Sequence, residues 1–353
     1  MQYIPASLLE ITVSLDGSGD YTSIQSAIDA IPPDREYPTT IYIQAGIYNE
    51  KLHIEKPYVR LIGDSDQPTV ITYNDYARKT FPDGSLYHTF YSYTVFVGSD
   101  DFSAEHVTFI NTAGAGEQVG QALAMYVDSD RAVFRHCRFI GQQDTLFTGP
   151  LPPQPIDRGT FGGPREGAPR RKQRQYYKHC YIEGNVDFIF GSATAVFEQC
   201  EIFARKRALL SQGSVNPEGS NSEAIDHTPI HGWLTAASTP EDVKYGYVFI
   251  DCQLTSDAPA HSFYLGRPWR NYAKVAFVRC DIGGHIHPEG WHNWNKTEAE
   301  SSVIYKEYGN QGAGAFREQR VSWSSLLDRT EVEEYTVARI LAGEDSWLPE
   351  AGS

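Results

Sequence analysis

The sequence predicts an all-β fold wound as a solenoid, on three observations: a cysteine-centred motif that recurs five times, the intervals between its copies, and the parity of the apolar positions inside each copy. The copies are VFRHCRF around Cys137, YYKHCYI around Cys180, VFEQCEI around Cys200, VFIDCQL around Cys252 and AFVRCDI around Cys280. Each carries an aromatic residue three before the cysteine (Phe134, Tyr177, Phe197, Phe249, Phe277) and an apolar residue two after it (Phe139, Ile182, Ile202, Leu254, Ile282). SAEHVTF, with Val107 in the cysteine's place, reads as a degenerate sixth copy. A cysteine and its i+2 partner share one strand face, whereas the aromatic at minus three has the wrong parity for a straight strand, so each copy bends between them. The intervals are 20 residues from Cys180 to Cys200, 28 from Cys252 to Cys280 and 52 from Cys200 to Cys252, the last close to two coils with a long loop. Stacked in parallel at about 4.8 Å per layer, such coils bury ladders of cysteine, aliphatic and aromatic side chains in one continuous core. The thiols read as small inward hydrophobes, since no CxxC or HxxxH pairing accompanies them, while a disulfide between neighbouring coils stays open on distance alone.

The remaining elements follow in chain order. ITVSL (11–15) reads as a strand and DGSGD (16–20) as a turn. SIQSAIDAIP then places Ile24, Ala27, Ile28 and Ile31 at i, i+3, i+4 and i+7 and stops before Pro32 and Pro33, the pattern of an amphipathic helix. This short N-terminal helix is expected to cap the open end of the solenoid, where unpaired strand edges would invite aggregation. Residues 149–175, GPLPPQPIDRGTFGGPREGAPRRKQRQ, break the repeat: 43 residues separate Cys137 from Cys180, so this stretch is an insertion within one coil. It carries Arg158, Arg165, Arg170, Arg171, Lys172 and Arg174 against Asp157 and Glu166, and is expected to form either a mobile surface loop or a basic rim that grips an acidic polymer. The C-terminal third is rich in turns and tryptophan and shows no boundary, so residues 1–353 are expected to form a single domain.

A formal charge of −15 and a pI near 5.2 argue against a general nucleic-acid or anionic-membrane binder. No apolar run reaches transmembrane length, and MQYIPASLLEITVSL lacks the features of a signal peptide, which leads us to expect a cytoplasmic protein, or a secreted one if a leader has been removed.

Two aspartates occupy equivalent places in the repeat. Asp144, in GQQDTLF, lies seven residues after Cys137, and Asp187, in GNVDFIFG, lies seven after Cys180. Equivalent positions on adjacent coils stack, so the repeat puts these carboxylates side by side. A carboxylate pair in unequal environments divides into an acid and a base or nucleophile, which suggests hydrolysis. LGRPW (265–269) offers Arg267 as a cation for one aspartate and Trp269 as a flat surface for a sugar ring.

The chain resembles the pectin methylesterases, the pectinesterase family of carbohydrate esterases, through an ordered set of segments: DGSGDYTSIQSAIDAIP, GIYNE, FINTAG, QALAM, GQQDTLF, GNVDFIFG, LGRPW, PEGWHNW and EYGNQGAGA. The resemblance implies a right-handed parallel β-helix. It further implies that Asp187 is the nucleophile attacking the methyl-ester carbonyl of a galacturonate unit and that Asp144 is the acid for the departing methoxide and then the base for water. By the same resemblance Gln121 and Gln143 stabilise the oxyanion, and Arg267 orients the nucleophile. Trp269 and Trp291 match sugar-binding aromatics, and Phe147, Phe190, Tyr264, Phe90 and Trp294 stand at corresponding aromatic positions, where packing is the competing role, most of all for Phe190, Phe90 and Trp294. The implied substrate is pectin or methylated oligogalacturonate; no metal or organic cofactor is implied, and the chain is expected to act as a monomer without nucleic acid or membrane. Departures from the family pattern are Gln142 where an aromatic is common, and Leu123 and Met125 in QALAM. A polygalacturonate lyase or hydrolase on a similar scaffold, a non-catalytic carbohydrate-binding solenoid, and an esterase for another ester or thioester remain as alternatives.

Overall fold

The computed structural model describes residues 9–33, 35, 37–156, 159–208 and 228–349. The strands form three sheets of 11, eight and seven strands, paired in parallel, and successive strands along the chain visit the three sheets in turn. One coil runs through Arg174–Lys178, Tyr181–Gly184 and Val186–Gly191, and the next through Thr194–Glu198, Glu201–Ala204 and Gly232–Ala237. The architecture is a right-handed parallel β-helix.

The cysteine-centred repeat sets the register of this stack. Phe134, Tyr177, Phe197, Phe249 and Phe277 are direct register partners on the 11-stranded sheet, and their rings stack at centroid distances of 4.9, 4.7, 4.6 and 4.5 Å. Phe139, Ile182, Ile202, Leu254 and Ile282 are register partners on the eight-stranded sheet. The expected bend falls on the residue just before each cysteine: His136, His179, Gln199, Asp251 and Arg279 all have φ between 51° and 54°. The degenerate copy obeys the same rule, with His106 at φ 56° before Val107 and Ala104 paired with Phe134. One left-handed residue reverses the parity, so the aromatic and the cysteine both face inward. All five thiols are buried and free, and each lies within hydrogen-bond reach of a backbone carbonyl.

The N-terminal helix spans Ile24–Asp29 and packs on Leu9–Val13 and Leu52–Ile54, strands of the first coils, with Ile24, Ala27 and Ile28 buried. Ser23 caps it, and the Glu50 carboxylate accepts from the Ile24 and Gln25 amides and the Ser23 hydroxyl, satisfying donors that the helix start leaves open. At the far end of the chain a helix at Val337–Leu341 lays Ile340 and Leu341 over Val133, Tyr176, Val196 and Val248, covering the outer face of the 11-stranded sheet. No helix among the described residues is long and apolar enough to cross a membrane.

Among the described residues, the cations of the insertion are engaged within the protein rather than arrayed as a free basic rim. Arg165 pairs with Asp128, Arg171 with Asp100 at 2.9 Å, Lys172 with Asp242 at 2.7 Å and Arg174 with Asp130 at 2.7 Å and with Asp345. Arg170 donates to the carbonyls of Pro152, Arg165, Glu166 and Ala168. In a chain with this excess of acid, the nearest anions are the protein's own, and they capture these cations. Asp157 and Arg158 lie outside the described residues.

The aromatic ladder carries a clear stability test. Replacing Phe197, which stacks on Tyr177 below and Phe249 above, by alanine should cost about 3–5 kcal/mol in urea denaturation, because neighbouring rungs fixed by the sheet cannot collapse into the cavity.

Candidate active site

The site lies over the seven-stranded sheet, where the functional side chains sit at or beside strands of several stacked coils, Gln143 and Asp144 sharing one. Gln121 and Gln143 precede Met125–Val127 and Leu146–Thr148, Asp187 lies within Val186–Gly191, and Arg267 follows Phe263–Gly266. Both aspartates have left-handed backbones, Asp144 at φ 62° and Asp187 at φ 52°, and the strand register slips between Val186 and Ile189. The left-handed residue at Asp187 turns one carboxylate out of a run of inward-facing apolar residues, which is how it sits in Val-Asp-Phe-Ile-Phe without entering the core. Coil stacking then sets the neighbours: the Asp144 amide donates to the Val186 carbonyl at 3.0 Å.

Arg267 grips Asp187 with two parallel bonds, Nε to Oδ1 at 2.8 Å and Nη2 to Oδ2 at 2.6 Å. The guanidinium is itself held between two indoles, with its carbon 3.6 Å from the Trp233 ring centroid and 3.7 Å from that of Trp294. Rings on both faces leave only the edge of the guanidinium to donate, and that edge meets the carboxylate. Asp144 lacks such a partner on the same terms. Burial pushes its carboxyl well above the ordinary range, the Asp187 charge pushes the same way, and Arg267 opposes both. The two aspartates are therefore unequal by environment.

Gln121 and Gln143 line the same cleft, of about 470 Å³, with Asp144, Asp187 and Arg267. Gln143 occupies space that only a glycine leaves free: a Cβ on Gly116 would lie 2.8 Å from the Gln143 side-chain oxygen.

The family model Pectinesterase matches residues 10–150 and 165–344. The chain belongs to the pectinesterase family. It is 35% identical to an Arabidopsis thaliana protein named "Probable pectinesterase/pectinesterase inhibitor 36", over 98% of this chain and 60% of that relative, so it spans well under two thirds of the relative's length. Among solved structures, the carrot pectin methylesterase superposes with a TM-score of 0.74 at 31% identity, covering 96% of this chain and 94% of the carrot one. A pectin methylesterase in complex with a hexasaccharide superposes with a TM-score of 0.74 at 28% identity, covering 98% of this chain and 99% of the other.

Around the cleft, the aromatics divide differently from the expectation. Trp269, Phe90 and Phe190 line the cleft. Trp291 does not: it is 1% exposed, bridges Gly266 on the preceding coil and stacks on Tyr305 at 4.0 Å inside the core. Phe147 is fully buried beneath the cleft, against Phe90 and Phe190. Tyr264 is also off the cleft; its hydroxyl donates to Glu289 and its ring stacks on Trp233. Trp294, a packing candidate by sequence, lines the cleft instead. Sequence reasoning missed Trp233, although aligning the coils would have found it: Trp233 is the register partner of Val186, beside Asp187, and of Tyr264, close to Arg267.

Asp144 makes a pH prediction with a fixed sign. A carboxyl whose folded pKa is raised takes up a proton on folding, so stability falls as pH climbs from the ordinary carboxylate range through its elevated one. Asp144→Asn should therefore melt above the wild type at neutral pH, with the difference closing below about pH 4, in thermal melts run across that range.

Proposed function

We propose that the protein is a carboxylic ester hydrolase that removes methyl esters from galacturonate units of pectin or methylated oligogalacturonates. The observation that carries this reading is the pairing of a carboxylate gripped by arginine with a buried carboxyl of raised pKa, beside two glutamine amides in one cleft. The family membership and the hexasaccharide held by a structural relative support a substrate of linked sugars.

An Asp187 oxygen attacks the ester carbonyl, and the developing oxyanion is met by the side-chain amides of Gln121 and Gln143. The carbon–methoxy bond breaks, Asp144 gives its proton to the methoxide, and methanol leaves an anhydride between Asp187 and the galacturonate. Asp144, now ionised, takes a proton from water, whose oxygen attacks the anhydride. The galacturonic acid unit leaves and gives its remaining proton to solvent, Asp187 is restored as a carboxylate and Asp144 is again protonated. Glutamine donors beside the acid suit acyl transfer; a glycoside hydrolase would have no carbonyl oxyanion for them to meet.

Methanol release from methylated pectin should vanish in Asp187→Ala with the fold retained, whereas shortened or unsaturated fragments without methanol would establish the hydrolase or lyase reading. The activity should fall only as Asp144 loses its proton, on the alkaline side of the ordinary carboxylate range; an alkaline limb within that range would refute its role as acid. Trp233→Leu, which frees one face of Arg267 without touching the cleft, should lower kcat by about 10–100-fold with little change in KM, and Trp233→Phe should restore most of it.

A further inference from the structure

The family model stops at residue 150 and resumes at 165, yet the segment between builds part of the cleft. Pro155, Ile156, Thr160 and Phe161 line it beside Phe90 and Trp269. Phe161 is 8% exposed although it belongs to an insertion, and its ring meets Phe90 at 5.7 Å and Trp269 at 6.3 Å, edge to face in both cases. The insertion's backbone packs on the same phenylalanine: a Cβ on Gly163, which has φ 90°, would fall 2.5 Å from the Phe90 Cβ.

This wall is fastened on several sides. Glu166 accepts from the Phe161 amide at 2.9 Å, Arg165 pairs with the buried Asp128, and Arg270 donates to the Gln154 carbonyl at 2.8 Å. Its residues that line the cleft, Pro155, Ile156, Thr160 and Phe161, carry no charge, while Asp157 and Arg158 lie outside the described residues. The cations that follow them are engaged with Asp100, Asp128, Asp130, Asp242 and Asp345. Two further cations line the cleft, and both serve the backbone: Lys296 donates to the carbonyls of Pro268 and Trp269 at 2.9 and 3.0 Å, and Arg270 holds Trp269 and Gln154.

We propose that the insertion forms an apolar subsite for a neutral, methyl-esterified galacturonate next to the unit being cleaved, and so sets a preference for densely esterified stretches. This rests on the esterase reading above. A methyl ester against Ile156 and Phe161 removes apolar surface from water at no electrostatic cost, whereas a free carboxylate there loses hydration and gains no counter-ion from the described residues of the wall. Each turnover replaces an ester by a carboxylate. The product therefore fits this subsite worse than the substrate did, and the enzyme leaves the chain rather than advancing along it.

The test uses oligogalacturonates of equal length that carry one ester at the reacting unit and differ only in whether its neighbour is esterified or free, with methanol release as the readout. The wild type should favour the esterified neighbour by about 10-fold or more in kcat/KM. Ile156→Lys, at a side chain 58% exposed, gives the wall a cation and should cut that ratio about 5-fold, with the effect shrinking at high salt. Phe161→Ala should lower the ratio as well, without the salt dependence. An active wild type with a ratio near one, or a ratio that Ile156→Lys leaves unchanged, would overturn the subsite. A wild-type preference for the free neighbour would overturn it too, and would assign the adjoining unit to Arg270 and Lys296 instead. Failure to release methanol from any of these oligomers would instead sink the esterase reading on which the subsite rests.

Discussion

Parallel register between successive coils is the constraint on which the site depends. In a β-helix the side chain at a given place in one coil has the same place in the next as its nearest neighbour, about 4.8 Å away. The ladder from Phe134 to Phe277 and the aliphatic ladder from Phe139 to Ile282 lock that register through the core. With the register locked, Asp144 on one coil must meet Asp187 on the next, and Arg267, two coils further on, reaches back to the same carboxylate. A slip by one coil would leave a buried aspartate without its arginine, at a cost of about 3–5 kcal/mol. The hydrophobic core and the polar site therefore specify the same pairing.

Much of this was legible in the sequence because the repeat is periodic. The bend before each cysteine followed from parity, and the structure meets it with one left-handed residue per coil at His106, His136, His179, Gln199, Asp251 and Arg279. The bidentate pairing of Asp187 and Arg267 agrees with the expectation that Arg267 is the cation for one of the two aspartates. What failed were inferences about side-chain direction where the chain leaves the repeat. Trp291 and Trp294 lie three residues apart in PEGWHNW, and nothing in their order tells that the first bridges a coil and points inward while the second points to the cleft. The cations of the insertion were misjudged for a related reason: their partners, from Asp100 to Asp345, are far away in sequence.

The electrostatic design is local. The chain carries a large net negative charge, yet the cleft holds two aspartates, Arg267 sandwiched by aromatic faces, and Arg270 and Lys296 turned to backbone carbonyls. Excluding water from around Arg267 and Asp144 separates the two aspartates in character without a metal ion being assigned any step. The insertion extends the same logic outward, placing uncharged surface beside the reacting position while turning its own cations to the protein's acids.

The proposed mechanism is tested most directly by trapping its covalent intermediate. Mixing the enzyme with methylated oligogalacturonate, quenching with hydroxylamine within a single turnover and mapping the peptides should give a substrate-dependent hydroxamate on the GNVDFIFG segment, at Asp187. Modification at Asp144 instead, or a complete turnover that leaves Asp187 unmodified at every quench time, would contradict attack by Asp187.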